Sequence, residues 1–468
     1  MKKALAILMA LMLMMGSALA QAPDGTPPGD PPSGGMGTPP DGDGGMGTPP
    51  DGEGGGFGGG TPPGGGTSSF EYAAAAWIDE AAEETGGSYS SDTADESALI
   101  VDTSENVSIS DAAVSKTGDS DGGDNCNFYG LNAALLVMGG STATLSGITV
   151  TSDASGANGV FSYGGNGGRN GAAGDGTTVY ISDSTITTTG DGSGGIMTTG
   201  GGTTYASNLT VETSGRSSAP IRTDRGGGTV VVEGGSYTSN GLGSPVIYST
   251  ADITVTGAAL TSTLSEGVCI EGMNSITLTD CDMTANNTQM NGNATFLDTI
   301  MIYQSMSGDA DSGTSAFTMT GGSLTSLSGH MFHVTNTHAV ITLSGVELVN
   351  EGSDVLLSVC ADGWSGADNV CELTADGQIL TGDILVGSDS QMTLTLMNGS
   401  QWEGTFSGDI TNAKGTVVST EVGEVHVIMD DTSAWTLTAD TYISSFEGDI
   451  SRVNANGYTL YVSGEAVN

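Results

Sequence analysis

Chemistry needs polar groups at a fixed separation, and in this chain such groupings are few. The tightest is Arg222-Thr-Asp224-Arg225, one carboxylate between two guanidiniums in a sequence with only nine Lys and Arg. It reads either as a ligand-facing polar group or as an ion-paired turn holding the Gly226-Gly-Gly backbone that follows. A glycoside hydrolase needs two carboxyl groups at a defined separation, one of them with a raised pKa. No Asp pair recurs on successive turns at strand positions. A β-eliminating lyase needs a cationic base facing an acidic sugar. Beyond the first 20 residues only Lys116, Lys414, Arg169, Arg216, Arg222, Arg225 and Arg452 could serve. His330, His333 and His338 fall close together, but an odd spacing places His330 and His333 on opposite faces of a strand. No catalytic residue is assigned.

Binding chemistry is better represented. Aromatic rings on a surface stack on sugar faces, and loops projecting from a rigid scaffold are where binding residues collect. Trp364, in an insert bracketed by Cys360 and Cys371, is the leading candidate, with Tyr163, Phe128 and Tyr129 on or beside other inserts. Trp402 and Trp435 occupy like places in the last two repeats and are expected to fill the core. Asp119-Ser-Asp121-Gly-Gly-Asp124 and Asp309-Ala-Asp311 alternate oxygens on Gly-bearing loops. That suits Ca²⁺ with its flexible oxygen coordination, and it equally suits a solvated loop. Calcium is the one cofactor the sequence suggests.

The charge balance narrows the partners. After the leader, seven basic residues stand against 54 acidic ones. Seven cations cannot neutralise a phosphate backbone, so nucleic acid is excluded, and the same field repels anionic membranes and polyuronates. Neutral glycans, proteins and divalent cations remain. Lys2-Lys3, the apolar run Ala4 to Met15 and Ala18-Leu19-Ala20 have the pattern of a secretory signal peptide over residues 1–20. The run is shorter than the ~20 apolar residues a membrane span needs. Secretion, with release or non-covalent retention at the cell surface, is the expectation. Five cysteines are too few to frame an exported fold of this length. A Cys360–Cys371 disulfide and buried reduced thiols are both open readings.

The elements that must position these groups can be read from repetition. Residues 21–67 are almost wholly Gly, Pro, Asp, Thr and Ser and are expected to be a disordered spacer. Ser68-x-x-Glu71 has capping-box spacing, and the Ala-rich stretch to Glu84 predicts a capping helix within a lead-in over 68–97. From 98 to 468 short period-2 strands recur: Val107-Ser-Ile-Ser-Asp, Val179-Tyr-Ile-Ser-Asp, Ile253-Thr-Val-Thr-Gly, Ile276-Thr-Leu-Thr-Asp and Ile341-Thr-Leu-Ser-Gly. Anchors at Ile109, Leu145, Ile181, Ala206, Val232, Val255, Leu278, Met319, Leu343 and Leu373 are spaced 36, 36, 25, 26, 23, 23, 41, 24 and 30 residues apart. A base unit of 23 to 26 residues, with inserts in the longer spacings, predicts an all-β, right-handed parallel β-helix of about twelve turns.

Asn127-Phe-Tyr-Gly-Leu-Asn-Ala-Ala, Ala157-Asn-Gly-Val-Phe, Thr223-Asp-Arg-Gly-Gly-Gly-Thr-Val, Gly243-Ser-Pro-Val-Ile-Tyr-Ser-Thr-Ala-Asp and Met301-Ile-Tyr-Gln-Ser-Met resemble secreted, adhesin-like β-helix proteins of anaerobic bacteria. The resemblance spans about Ala94 to the C-terminus and implies an extracellular, pectate-lyase-like solenoid. It supplies no catalytic residues. The combined expectation is a non-enzymatic recognition or matrix protein that holds a glycan or a surface protein through its insert loops, with a polysaccharide-active enzyme of the same fold as the alternative.

Overall fold

The computed structural model describes residues 70–167 and 173–467. The expected leader over 1–20, the spacer over 21–67, Ser68 and Arg169 lie outside the described residues. What is described is a parallel β-helix, wound in the right-handed sense that strand twist imposes on parallel crossovers. Among the described residues two long sheets of fourteen and thirteen strands form two walls, and the third wall is a ten-strand sheet followed by a separate four-strand one. Coils pair in register with those above and below, as when Val107, Ala143 and Val179 align beside Ile109, Leu145 and Ile181. At ~4.8 Å per coil the fourteen-strand sheet is roughly 60 Å long.

One backbone position recurs through the coils that supply the ten-strand sheet. The residue that follows the strand of the fourteen-strand sheet and turns the chain into the ten-strand sheet has a left-handed φ, as at Asp111 at 52°, Gly147 at 61°, Asp183 at 49°, Asn208 at 50°, Gly257 at 65° and Asp280 at 49°. Only Gly, Asn and Asp visit that region at low cost. This corner is what the repeated Ser-Asp, Ser-Gly and Thr-Gly endings encode. Serines tie the next corner together: the Ser218 hydroxyl accepts the Ser193 N–H at 2.9 Å, and the Ser244 hydroxyl accepts the Ser218 N–H at 2.8 Å.

The fourteen-strand sheet alternates buried and exposed side chains, as in Asp252–Thr256, with one face to the core and one to solvent. Through its middle the thirteen-strand sheet is buried on both faces: Ile196–Thr199 and Val268–Glu271 carry no exposed residue. Its outer side chains lie under inserts, so this wall of the coil is where a site can be enclosed. Toward the C-terminus Trp402 and Trp435 stack in the core at 4.8 Å, as expected. Their indole N–H groups donate to the carbonyls of Gly382 and Gly404.

Three expectations need correction. The helix over Glu71–Glu84 does not form; the segment makes strands Ala73–Ala74, Trp77–Ile78 and Ala82–Thr85, which pair with the second coil. Burial alternates along it, with Ala76 and Ile78 packed against the main core and Tyr72 and Ala74 against the smaller cluster around Ile100 and Phe161. Alanine on both faces hides that period, and parallel pairing outweighs helix propensity. The Cys360–Cys371 disulfide is absent, because all five cysteines are free and buried. Cys360 packs with Phe296 and Ile410 outside the coil, while Cys371 points into the core of another sheet. The turn count is also larger than twelve, since the misread first coil and a closing strand, Ser445–Glu447, extend the long sheet. No helix among the described residues is long and apolar enough to cross a membrane.

A Cβ at Gly257 would meet nothing within 4 Å, so substitution there tests the corner alone. Gly257→Val is expected to cost ~1–2 kcal/mol through backbone strain and Gly257→Asn much less, read from urea unfolding midpoints. A thiol reagent should titrate five cysteines in denaturant and essentially none in the folded protein, with the thermal midpoint unmoved by reductant.

Candidate functional site

Stacking aligns the outer positions of the thirteen-strand sheet into columns. Arg222, Tyr248, Cys269, Met301 and His333 follow one another on five successive coils. Two residues further on in their coils, Asp224, Glu271 and Tyr303 leave the sheet on the same side. Asp224 and Glu271 are two coils apart, a backbone separation of ~10 Å. Over these columns close the helix Asp124–Tyr129 and the inserts at 286–297, 304–313 and 361–368. The enclosed cleft has a volume of about 170 Å³ and is lined by Phe128, Arg222, Asp224, Tyr248, Glu271, Tyr303, Asp309 and Trp364, with Asp124 at its rim.

The polar groups of the cleft are tightly partnered. Glu271, 2% exposed, accepts hydrogen bonds from the hydroxyls of Tyr248 at 2.6 Å, Tyr303 at 3.1 Å and Ser307 at 3.3 Å, and from Ser305. Burial, followed by the Glu271 charge, pushes both tyrosines well above the ordinary phenol pKa, so they stay protonated donors. Arg222 pairs with Asp224 at 2.8 Å, donates to the Ser217 carbonyl and lies 5.7 Å from the Tyr248 ring centroid. Arg225 pairs with Asp309 at 2.8 Å and sits 4.3 Å over the Phe128 ring. The indole of Trp364 tilts against Tyr303 with centroids 4.9 Å apart.

Burial dominates the acid–base state. Asp224 is pushed up to about 7 by burial and by the nearby Asp309 charge, against the pull of Arg222. Glu266, which also lines the cleft, is raised by burial despite a hydrogen bond from Ser265. Asp298 is raised by burial and by the charges of Glu266 and Asp362. Beside this acidic group His330 and His333 both bond the Ser358 hydroxyl at 2.8 Å, which the odd spacing did not lead one to expect. His330 stands at the first residue of its strand, directly after Gly329 with φ of 71°, before the face alternation is established. Burial and then His333 pull the His330 pKa down to about 4. His338 lies apart and exposed, paired with Glu372.

The structure thus gathers Trp364, Phe128, Arg222, Asp224, Asp309 and Asp124 around one cleft, with Arg225 holding Asp309 beside it. Tyr129 and Tyr163 are not among its lining residues. They pack on each other at 5.8 Å in an aromatic group with Phe70 and Tyr72 that covers the outer face of the early coils. Asp119 accepts the Ser155 N–H and Asp121 is exposed. Among the described residues no three His, Cys, Asp or Glu side chains come together as a metal-ligand set. Asp311 is partly buried, and its carbonyl accepts the Met273 N–H.

Sequence reasoning missed Glu271, Tyr248, Tyr303, Glu266 and Asp298. The signal was present: aligning the apolar triplets Ile221, Ile247, Val268 and Ile300 sets the columns, but an acid pair was sought on adjacent coils and this one skips a coil. No protein-family model, no curated protein and no solved structure matches the chain.

Asp224, Glu266 and Asp298 each bind protons more tightly folded than unfolded. Their contribution to stability is fully present below the ordinary carboxylate range near 4 and is lost as the pH rises through it toward 7, partly offset by His330, whose lowered pKa makes its own contribution grow over the same interval. The thermal midpoint should be higher at pH 5 than at pH 7.5, and the difference should shrink in a Glu266→Gln, Asp298→Asn double variant, measured by calorimetry in matched salt.

Proposed function

We propose that the protein is a secreted, adhesin-like recognition protein that binds a neutral glycan, seating one sugar ring in the cleft lined by Trp364 and the Tyr248–Glu271–Tyr303 group. The carrying observation is the pairing of an aromatic wall with a floor of fixed hydroxyls and a carboxylate on rigid strands. Ring stacking plus a few convergent polar groups is how a sugar is held and oriented. The volume, about 170 Å³, is below the ~300–1,000 Å³ of pockets that engulf a whole ligand. It suits one unit of a longer chain whose remainder runs over the surface. Seven cations against 54 acids leave an anionic glycan, nucleic acid or anionic membrane strongly disfavoured. Binding needs no cofactor in this reading, and calcium would act on the Asp119–Asp124 loop at the rim.

A polysaccharide hydrolase is the second reading. It is favoured by the Asp224 pKa of about 7 and by a second buried carboxylate, Glu271, lining the same cleft. Against it, both oxygens of Glu271 are held by hydroxyls and Asp224 is held by Arg222. Such partners fix a carboxylate and do not leave it free to move a proton.

A neutral and acidic glycan array, run with calcium and with chelator while reducing ends are assayed, separates the readings. Retention of a neutral glycan without product is expected. Trp364→Ala should weaken it about tenfold, ~1.4 kcal/mol, with the thermal midpoint unchanged. Product release abolished by Asp224→Asn would establish the hydrolase. No retention and no product would return the search to a protein partner.

A further inference from the structure

The three sheets do not continue equally through the coil. Strand His338–Ser344 pairs with Asn369–Asp376 over seven residues, and Val355–Val359 pairs with Asp383–Val386. On the third wall the ten-strand sheet stops at Glu347–Asn350, and the next coil's strand, Ile379–Thr381, pairs only onward, with Gln401–Glu403. Between the two lies an opening of about 720 Å³ lined by Met331, Leu348, Asn350, Asp354 and Ile379 among others.

One residue stands out where the sheet stops. The position after the left-handed corner is small or apolar and buried in other coils, as at Ala258, Cys281 and Val346. Here it is Gln378, 1% exposed. Its amide must be satisfied, and it takes the Val346 backbone: Val346 N–H donates to Oε1 and Nε2 donates to the Val346 carbonyl, both at 2.8 Å. A side chain thus stands where a neighbouring backbone would pair, and the coils part beyond it until Asp383 N–H meets the Asp354 carbonyl at 2.8 Å. About four residues of edge are left open, a length of ~13 Å. Leu348 shows the consequence: its equivalents Leu324 and Met283 are fully buried, whereas Leu348 is only partly so. Ile379 on the opposite lip is 67% exposed.

We propose that this opening is a docking site for an extended, cationic segment of another protein, which adds as a strand along Glu347–Asn350. An unpaired edge of N–H and C=O groups is a template for a further strand. An apolar side chain at the inward position of the added strand would cover Leu348, completing the core where the coil leaves it open. Charge selects the rest. The lining holds Glu347 and Asp354, with no Lys or Arg, and Glu351 follows at the rim. Alternating apolar and basic residues therefore fit both the depth and the field of the opening. This site is independent of the glycan cleft.

The test uses the secreted chain and the peptide acetyl-Lys-Val-Lys-Val-Lys-Val-Lys-amide, with binding read by titration calorimetry. The expected result is saturable 1:1 binding, reduced at least tenfold by N-methylation of alternate peptide nitrogens, by a Glu-Val-Glu-Val version and by Ile379→Lys, and unchanged in Trp364→Ala. Because Ile379 is exposed, its thermal midpoint should match the parent's and loss of binding would not reflect unfolding. Equal binding of the acidic or N-methylated peptide would overturn the proposal. So would a concentration-dependent dimer in sedimentation that Ile379→Lys abolishes, since the occupant would then be a second copy. Peptide affinity that rises when residues 21–67 are deleted would show the chain's own segment occupying the edge, and would equally overturn it.

Discussion

The parallel ladder between coils is the constraint on which everything else depends. A parallel strand pair needs a crossover, and here the crossover is the rest of one coil, so each coil must return the chain to the same register within about two dozen residues. It does so because one residue per coil turns in the left-handed region, from Asp111 and Gly147 through Asp280. A misplaced corner would slip every strand after it by one residue and turn the core face outward. Repeated Gly, Asn and Asp at that place are thus a condition for the core, which runs from Ala98 to Leu460 as one apolar column.

Once the ladder is fixed, the wall that receives inserts becomes an enclosed surface, and enclosure sets the chemistry. Side chains that would be solvated on an open sheet are desolvated beneath the inserts, so Asp224, Glu266 and Asp298 rise in pKa. The scarce cations are spent on this problem. Arg222 and Arg225 neutralise Asp224 and Asp309, and Lys116, fully buried, donates to the Thr93 and Gly118 carbonyls in a coil corner. Where no cation is at hand, hydroxyls substitute, as at Glu271. Glu271 and Asp224 are thus held in place by their partners, and a buried carboxylate so held is costly to strip of any one of them.

How much of this was legible follows from what each residue must satisfy. The corner residues and the inward anchors Ile109, Leu145 and Ile181 obey a local rule repeated many times, so they can be read in one dimension. The first coil obeys the same rule but is written in alanine, which fits either period, and it was read as a helix. Trp364 was found because an aromatic on an insert is conspicuous. Glu271 was not, because its significance comes from Tyr248 one coil before and Tyr303 one coil after, a relation that exists only when coils are stacked. Cys360 and Cys371 failed for the same reason in reverse: eleven residues apart in sequence, they face opposite sides of the coil wall.

The two candidate sites share an origin in interrupted stacking. A perfectly regular β-helix presents flat ladders with satisfied backbone and no concavity. Inserts between coils build the cleft over the thirteen-strand sheet, and at the end of the ten-strand sheet the Gln378 side chain takes the Val346 backbone groups beside an opening. Each interruption is tolerated because the other sheets continue past it and carry the register, as the seven pairs from His338 to Ser344 do beside the open edge. The rod's field then divides the work. A carboxylate-rich surface repels anions everywhere. Where its acids are held by Arg222, Arg225 and hydroxyls, as in the cleft, it leaves a polar socket of fixed groups; where they have no such partner, as at Glu347 and Asp354, it leaves an attraction for positive charge.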